Sequence, residues 1–378
     1  MQNTSITVFS RLLMLLVITL SMIAAPASFA QRHAERIAPI IFYLLSESGP
    51  TFSEPSITNI QPFSFSHGDT VTLTGSGFGN KVNAKPLLWV DFNENIQPSS
   101  TNSQRTSWGG GLNAGAEVSS DNPAPNATQS FRFDLSTTYG ASLGLYDIRD
   151  AIGERTQRLY MFARKYYGFD IVDDKGANGF NLKMYRFWGD QSNVPEDRNN
   201  IFWGYQGNEG LTSGRMTAEY TDGNRYSSII GQEEGEWMVH ELIYDAGTIN
   251  VQNGLYDIYQ DGVKWINDVY NFETHSSQLP NKYEDFFFEQ VSNGTGTGPI
   301  YIYYDEIYMD TTYQRVIICD ADTFESCNER AIQLPTAWSD NSITIKLNQG
   351  AFTSFNQPLW LYVFNAEGKP NTNGIALQ

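Results

Sequence analysis

Three short runs carry the side chains best suited to chemistry: "MVHEL" with His240, "KMYRFW" with Arg186 and "IFWGYQ" with Tyr205. A histidine and a tyrosine can serve as base and acid in a proton transfer, and an arginine can hold developing negative charge. Each run alternates with the period of a β-strand, so parity assigns faces. Met238, His240, Leu242 and Tyr244 share one face of their run, opposite Trp237, Val239, Glu241 and Ile243. Leu182, Met184, Arg186 and Trp188 share a face of theirs, opposite Lys183, Tyr185 and Phe187. The competing reading is structural: His240 as a satisfied, half-buried histidine, and Arg186 in an ion pair with an acid such as Glu241.

Other chemistries find less support. "QEEGEWMVHE" holds Glu233, Glu234, Glu236 and Glu241, but Gly235 breaks the strand and no aspartate stands between them. The run lacks the paired carboxylates on one strand face that retaining glycoside hydrolysis uses, and it reads as a solvated turn. No Gly-x-Ser-x-Gly elbow, phosphate loop or His-Glu-x-x-His occurs. The other histidines are His33 in the leader, His67 in a turn and His275 in a polar loop, which leaves little for zinc. "SNGTGTGP", 292–299, is glycine-rich but lies between strands, with no helix behind it to cradle a phosphate. The only cysteines, Cys319 and Cys327, bracket "CDADTFESC". In an exported chain this spacing predicts a disulfide staple. Asp320, Asp322 and Glu325 inside it hint at calcium, but the spacing is not that of an EF-hand and a solvated acidic loop is expected. No metal site and no cofactor are assigned.

The elements that must position these residues are strands. "SFRFDL", "LYMFARKYY", "NLKMYRFW", "EWMVHELIY", "LYDIYQDG", "DFFFEQV" and "IYIYYDEIYMD" all alternate, with Gly, Asn, Ser, Asp and Pro between them. Many short strands joined by turn chemistry predict an all-β sandwich or jelly roll. The region 93–129, rich in Ser, Asn, Gly and Pro, is expected to be a long loop with one or two short strands. A chain of 378 residues, 40% hydrophobic, can bury a large core. Residues 1–30 read as a bacterial signal peptide: Arg11 precedes an apolar run, and Ser28 and Ala30 suit a peptidase site. Residues 31–53 are then a leader, whose "IAPIIFYLL" is about half a membrane span, so no transmembrane anchor is expected. The expected location is secreted or on the cell surface. A net charge of −18 argues against nucleic acid and anionic membrane as partners.

Two resemblances refine this. "PSITNIQPFSFSH" and "GDTVTLTGSGFGNK" resemble the opening strands of an IPT/TIG domain, a small immunoglobulin-like sandwich. "RAIQLPTAWSDNSITIKLNQGAF" and "PLWLYVFNAEGKPNTNGIAL" resemble its closing half. The resemblance implies one Ig-like domain split into 54–90 and 313–378, with 91–312 inserted. Within the insert, "GEWMVHELIYDAG", "NGLYDIYQDGVKWIND" and "IYIYYDEIYMD" resemble the later strands of a concanavalin A-like jelly roll. That fold is shared by polysaccharide lyases, laminin-G-type modules and β-glucanases. The resemblance implies an extracellular polysaccharide as partner, taken up on the concave face, with Trp188, Trp203 and Tyr244 stacking on sugar rings. The alternative is a polysaccharide lyase working by β-elimination, with Arg186 neutralising a uronate and His240 or Tyr205 as base and acid. The lyases' Gln-x-His and Arg-x-Glu-x-Arg motifs are absent. A third reading is a surface adhesin or assembly protein with a protein partner on the IPT/TIG-like domain.

Overall fold

In the computed structural model the described residues are 53–93, 116–134, 141–148, 154, 156–169, 181–188, 200–206, 215–219, 223–226, 234–248, 252–264, 272–273, 285–293 and 300–377. They form strands in four antiparallel sheets, as the period of two demands. Among the described residues no helix is long and apolar enough to cross a membrane. The signal-peptide reading and nearly all of the leader, residues 1–52, lie outside the described residues, as does 94–115 of the expected loop.

Numbered in chain order, the strands group as follows. A nine-stranded sheet runs β14 (Val263–Lys264), β13 (Gln252–Gln260), β12 (Trp237–Asp245), β7 (Arg158–Tyr167), β17 (Tyr301–Asp310), β5 (Ser130–Asp134), β4 (Ala116–Ser119). Off this path, β15 (Phe272–Glu273) pairs with β13 and β3 (Leu88–Val90) with β17. A six-stranded sheet runs β11 (Gly223–Tyr226), β10 (Arg215–Glu219), β9 (Asn200–Gln206), β8 (Asn181–Trp188), β16 (Asp285–Asn293), β6 (Ala141–Asp147). The two remaining sheets are small. One orders β1 (Ser56–Gln61), β2 (Thr70–Ser76), β21 (Ser342–Lys346), β20 (Leu334–Trp338). The other orders β19 (Arg330–Ile332), β18 (Arg315–Cys319), β22 (Trp360–Phe364), β23 (Ile375–Ala376).

The larger pair of sheets packs face to face as a β-sandwich. Leu159, Met161 and Ala163 of β7, Leu242 and Tyr244 of β12, and Ile302 and Tyr304 of β17 meet Leu182, Met184 and Phe187 of β8 and Phe286 and Phe288 of β16. The small sheets share a second core. In it Val71 and Leu73 join Ile343, Ile345, Val316, Ile318, Leu361 and Val363. A third cluster binds the two halves of the molecule: Tyr160, Phe162, Val239 and Tyr308 of the large sheet lie against Ile317, Ile332, Tyr362 and Phe364. The nine-stranded sheet is therefore covered on both faces. Nearly every residue of β7 and of β17 is buried as a result, polar ones included.

One strand departs from the expected boundaries. Leu88–Val90 falls within the 54–90 segment, yet it pairs with Ile307–Met309 of β17. Leu88 and Val90 are drawn into the sandwich core, which removes their apolar surface from water. Turn chemistry behaves as the sequence predicts at Asp261–Gly262, which closes the β13–β14 hairpin with both residues at positive φ, 45° and 77°.

Candidate functional site

The side chains with catalytic chemistry collect between the two large sheets. Lys165 of β7 points inward, its Nζ 2.9 Å from Met184 Sδ. Three tyrosine rings surround the ammonium, with centroids at 4.5 Å (Tyr167), 5.1 Å (Tyr304) and 5.3 Å (Tyr185). From β12, His240 Nδ1 lies 2.7 Å from the Tyr185 hydroxyl, and its ring sits beside Tyr167. The Tyr256 hydroxyl donates to the Tyr185 carbonyl at 2.8 Å and fixes that residue from behind. His240 is 0% exposed. Burial, reinforced by the charge of Lys165, holds its pKa well below the usual histidine value, so the imidazole is neutral.

This arrangement separates the two residues expected to work together. The alternation in "NLKMYRFW" puts Arg186 on the face of Leu182 and Met184, but the chain slips register between Met184 and Phe187 and Tyr185 adopts φ +50°. Leu182, Met184, Tyr185 and Phe187 all enter the core, and alternation beyond the bulge places Arg186 on the opposite face of β8, where it is still buried at 7% exposure. His240 lies on the inner side. The bulge is why the expected parity fails for Arg186: one extra residue inverts every face after it. Tyr244, expected to stack on a sugar, is 0% exposed and stacks on Phe187 instead, with ring centroids 4.0 Å apart. Trp188, Trp203 and Tyr205 are described by backbone alone. Trp188 pairs with Asn200 and Asp285, Trp203 with Met184 and Met216, and Tyr205 with Leu182. Their side chains lie outside the described residues.

The outer face of the nine-stranded sheet carries a different set of groups, which the sequence reading missed. The Glu241 carboxylate accepts from the Tyr160 hydroxyl and from Arg330, each at 2.7 Å, with Arg315 at 3.8 Å. Burial pushes this carboxyl up, yet Arg330 and Arg315 outweigh it and hold it below its usual range. Arg164 is gripped by Glu306 and Glu329, and donates to the Arg330 carbonyl at 2.8 Å. Its guanidinium is held above its ordinary value, because these carboxylates outweigh the cost of burial. The Arg330 guanidinium passes so close over Gly262 that any side chain there would strike it. Glu241 thus pairs with the C-terminal arginines and not with Arg186. No local signal in the sequence marks this network, since partners such as Tyr160 and Glu241 or Arg164 and Arg330 stand 81 and 166 residues apart.

Comparison with known proteins adds a likeness of fold. No family model and no curated protein sequence matches the chain. Among solved structures, the chain resembles an alginate lyase from Aplysia kurodai (10% identity, TM-score 0.41, covering 60% of this chain and 99% of that one). It also resembles an endo-β-1,4-glucuronan lyase from the fungus Trichoderma reesei (14%, 0.38, 60% and 96%). A third is the alginate lyase Aly36B (12%, 0.37, 61% and 98%). What this chain does must be read from its own residues.

The cysteine loop is organised by backbone hydrogen bonds. Cys319 and Cys327 form a disulfide, with Cα atoms 5.7 Å apart. Their sulfurs are thereby removed as metal ligands. Asp320 Oδ1 accepts from the backbone N–H of Asn328 at 2.9 Å and of Glu329 at 3.2 Å. Asp320, Cys319 and Cys327 are the group of potential metal ligands that stand close together among the described residues. With both thiols in the bridge and Asp320 turned to the backbone, the set does not suit a cation such as calcium, which wants six to eight oxygens.

Proposed function

We propose that the protein is exported and binds extracellular polysaccharide on the outer face of its six-stranded sheet, without cleaving it. The bulge at Met184–Phe187 carries the reading: it turns Tyr185 and Phe187 inward and assigns Lys183 and Arg186 to the outer face. Lys183 is half-buried there and Arg186 only 7% exposed, so the ammonium is the group of this pair within reach of a sugar carboxylate, in a chain that is otherwise acidic. A general base must come within hydrogen-bond reach of the proton it removes. His240, sealed on the other side of β8, does not meet that condition from the face that holds Arg186. The small sheets, in which β1–β2 pair with β20–β21, fit a split IPT/TIG-like domain that braces the sandwich.

The lyase reading keeps one observation in its favour, the assembled trio of Lys165, Tyr185 and His240. Proton-transfer chemistry there would require the sheets to part. One experiment separates the two. Residues 31–378 are incubated with neutral and acidic polysaccharides, scoring co-sedimentation and the ultraviolet absorbance of an unsaturated elimination product in the same tubes. Co-sedimentation without new absorbance, weakened by Lys183→Gln, is the expected outcome. Absorbance that rises and then vanishes in His240→Ala would replace binding with catalysis.

A further inference from the structure

We infer that the cleft between β3 and the β20–β21 hairpin is a second binding site, built for an anionic sugar residue. The cleft encloses about 420 Å³, within the range of about 300–1,000 Å³ common for small-ligand sites. Its walls come from both halves of the molecule. Lys85, Pro86 and Trp89 lead into and along β3, while Leu334, Thr336 and Lys346 belong to the small sheet.

Three features mark it as a site for a ligand. The chain has 42 acidic residues against 24 lysines and arginines, yet this cleft gathers two lysines and a single acid, Asp91. Lys85 and Lys346 are exposed, and neither forms an ion pair among the described residues. Lys81, four residues before Lys85, shows what a structural lysine looks like here: it is buried, bonded to Asp310 at 2.6 Å and set over the Trp338 ring at 5.3 Å. Finally, Trp89 is half-buried: it packs against the cluster that holds Tyr160, Phe162 and Tyr308, and it also lines the cleft.

The chemistry follows from these groups. An indole face takes the C–H face of a pyranose. Two ammonium groups beside it favour a carboxylate or a sulfate ester through charge-assisted hydrogen bonds, and the Thr336 hydroxyl, which donates to the Thr344 carbonyl at 3.2 Å, leaves its oxygen as an acceptor for a sugar hydroxyl. Lys85 and Lys346 stand on different halves of the molecule, so the site depends on the packing that joins them.

The test is calorimetric titration of the full chain with a uronic-acid trisaccharide, a sulfated trisaccharide and neutral cellotriose, at low and high salt. One or both acidic probes should bind in a salt-sensitive way, and cellotriose far more weakly. Which acidic probe binds tells carboxylate from sulfate. Lys85→Gln with Lys346→Gln should weaken that binding by roughly tenfold or more, a loss of two charge-assisted contacts. Trp89→Ala should remove it, while Trp89→Phe, which keeps an aromatic face, retains it and shows that the fold is intact. Repeating the titration in Lys183→Gln distinguishes this site from the face of β8: binding that persists there and is lost with the Lys85 and Lys346 substitutions belongs to the cleft. Equal affinity for cellotriose, binding indifferent to the two lysines, or no binding of either acidic probe overturns the inference.

Discussion

Arg164 and Lys165 are neighbours on β7, and both are buried, but they face opposite ways. Arg164, on the outer side, is held by Glu306 and Glu329 and by a backbone carbonyl. Lys165, on the inner side, sits among Tyr167, Tyr185 and Tyr304 and the thioether of Met184. Paired carboxylates thus hold the outer cation, whereas three aromatic rings and a thioether line the inner one. The outer solution is directional and ties the sandwich to the small sheets. The inner one is soft, and it leaves a neutral histidine and tyrosines beside the charge.

The contrast is most exposed at Arg330. Arg330→Ala should destabilise the protein by about 3–5 kcal/mol, because a buried Glu241 would lose its closest cation. Chemical denaturation measures this, and a loss under about 1 kcal/mol would mean that the outer face is not held by its ion pairs. On the inner side, Tyr185→Phe removes the hydroxyl 2.7 Å from His240 Nδ1 and should cost about 1–3 kcal/mol by the same assay. A larger loss than for Arg330→Ala would reverse the ranking of the two faces.

Acid should find the inner face first. His240 resists protonation when folded but accepts a proton in the unfolded chain below its ordinary value of 6.5. Stability therefore falls as the pH drops from there towards the folded pKa. Glu241 contributes its stability above its ordinary value of 4.5 and loses it as the pH falls through its lowered folded value. Asp261, pushed up to about 6 by burial, acts in the opposite sense over part of this range. The quantity to measure is thus the difference between wild type and His240→Gln across pH 4–8, referenced to pH 8. It should widen below about pH 6.5, and a flat difference would show that His240 titrates normally in the fold.

What could be read from sequence divides along the same line. Strands such as β7, β12 and β17 announce themselves, because alternating apolar residues have one stable arrangement in water, and the Asp261–Gly262 turn carries its own conformational signature. The face of Arg186 could not be read. Nothing in "NLKMYRFW" interrupts the alternation, and the slip between Met184 and Phe187 shows only in the pairing with β9. The pairing of Glu241 was equally hidden, since Arg330 lies 89 residues away and nothing local distinguishes it from any other arginine. Period reports which side of a strand is dry. It does not report what is waiting on that side.

The pairing of β2 with β21 sets an order of events in time. Thr72 and Thr344 meet across 272 residues of chain. During synthesis the β1–β2 hairpin emerges early and must wait with Val71 and Leu73 unburied until β21 exists to cover them. Contacts so distant in sequence close slowly. A chain halted before Ser342 would keep the sandwich's strands but leave β2 with a bare edge, open to pairing with another molecule. A strand made late in synthesis thus protects one made early.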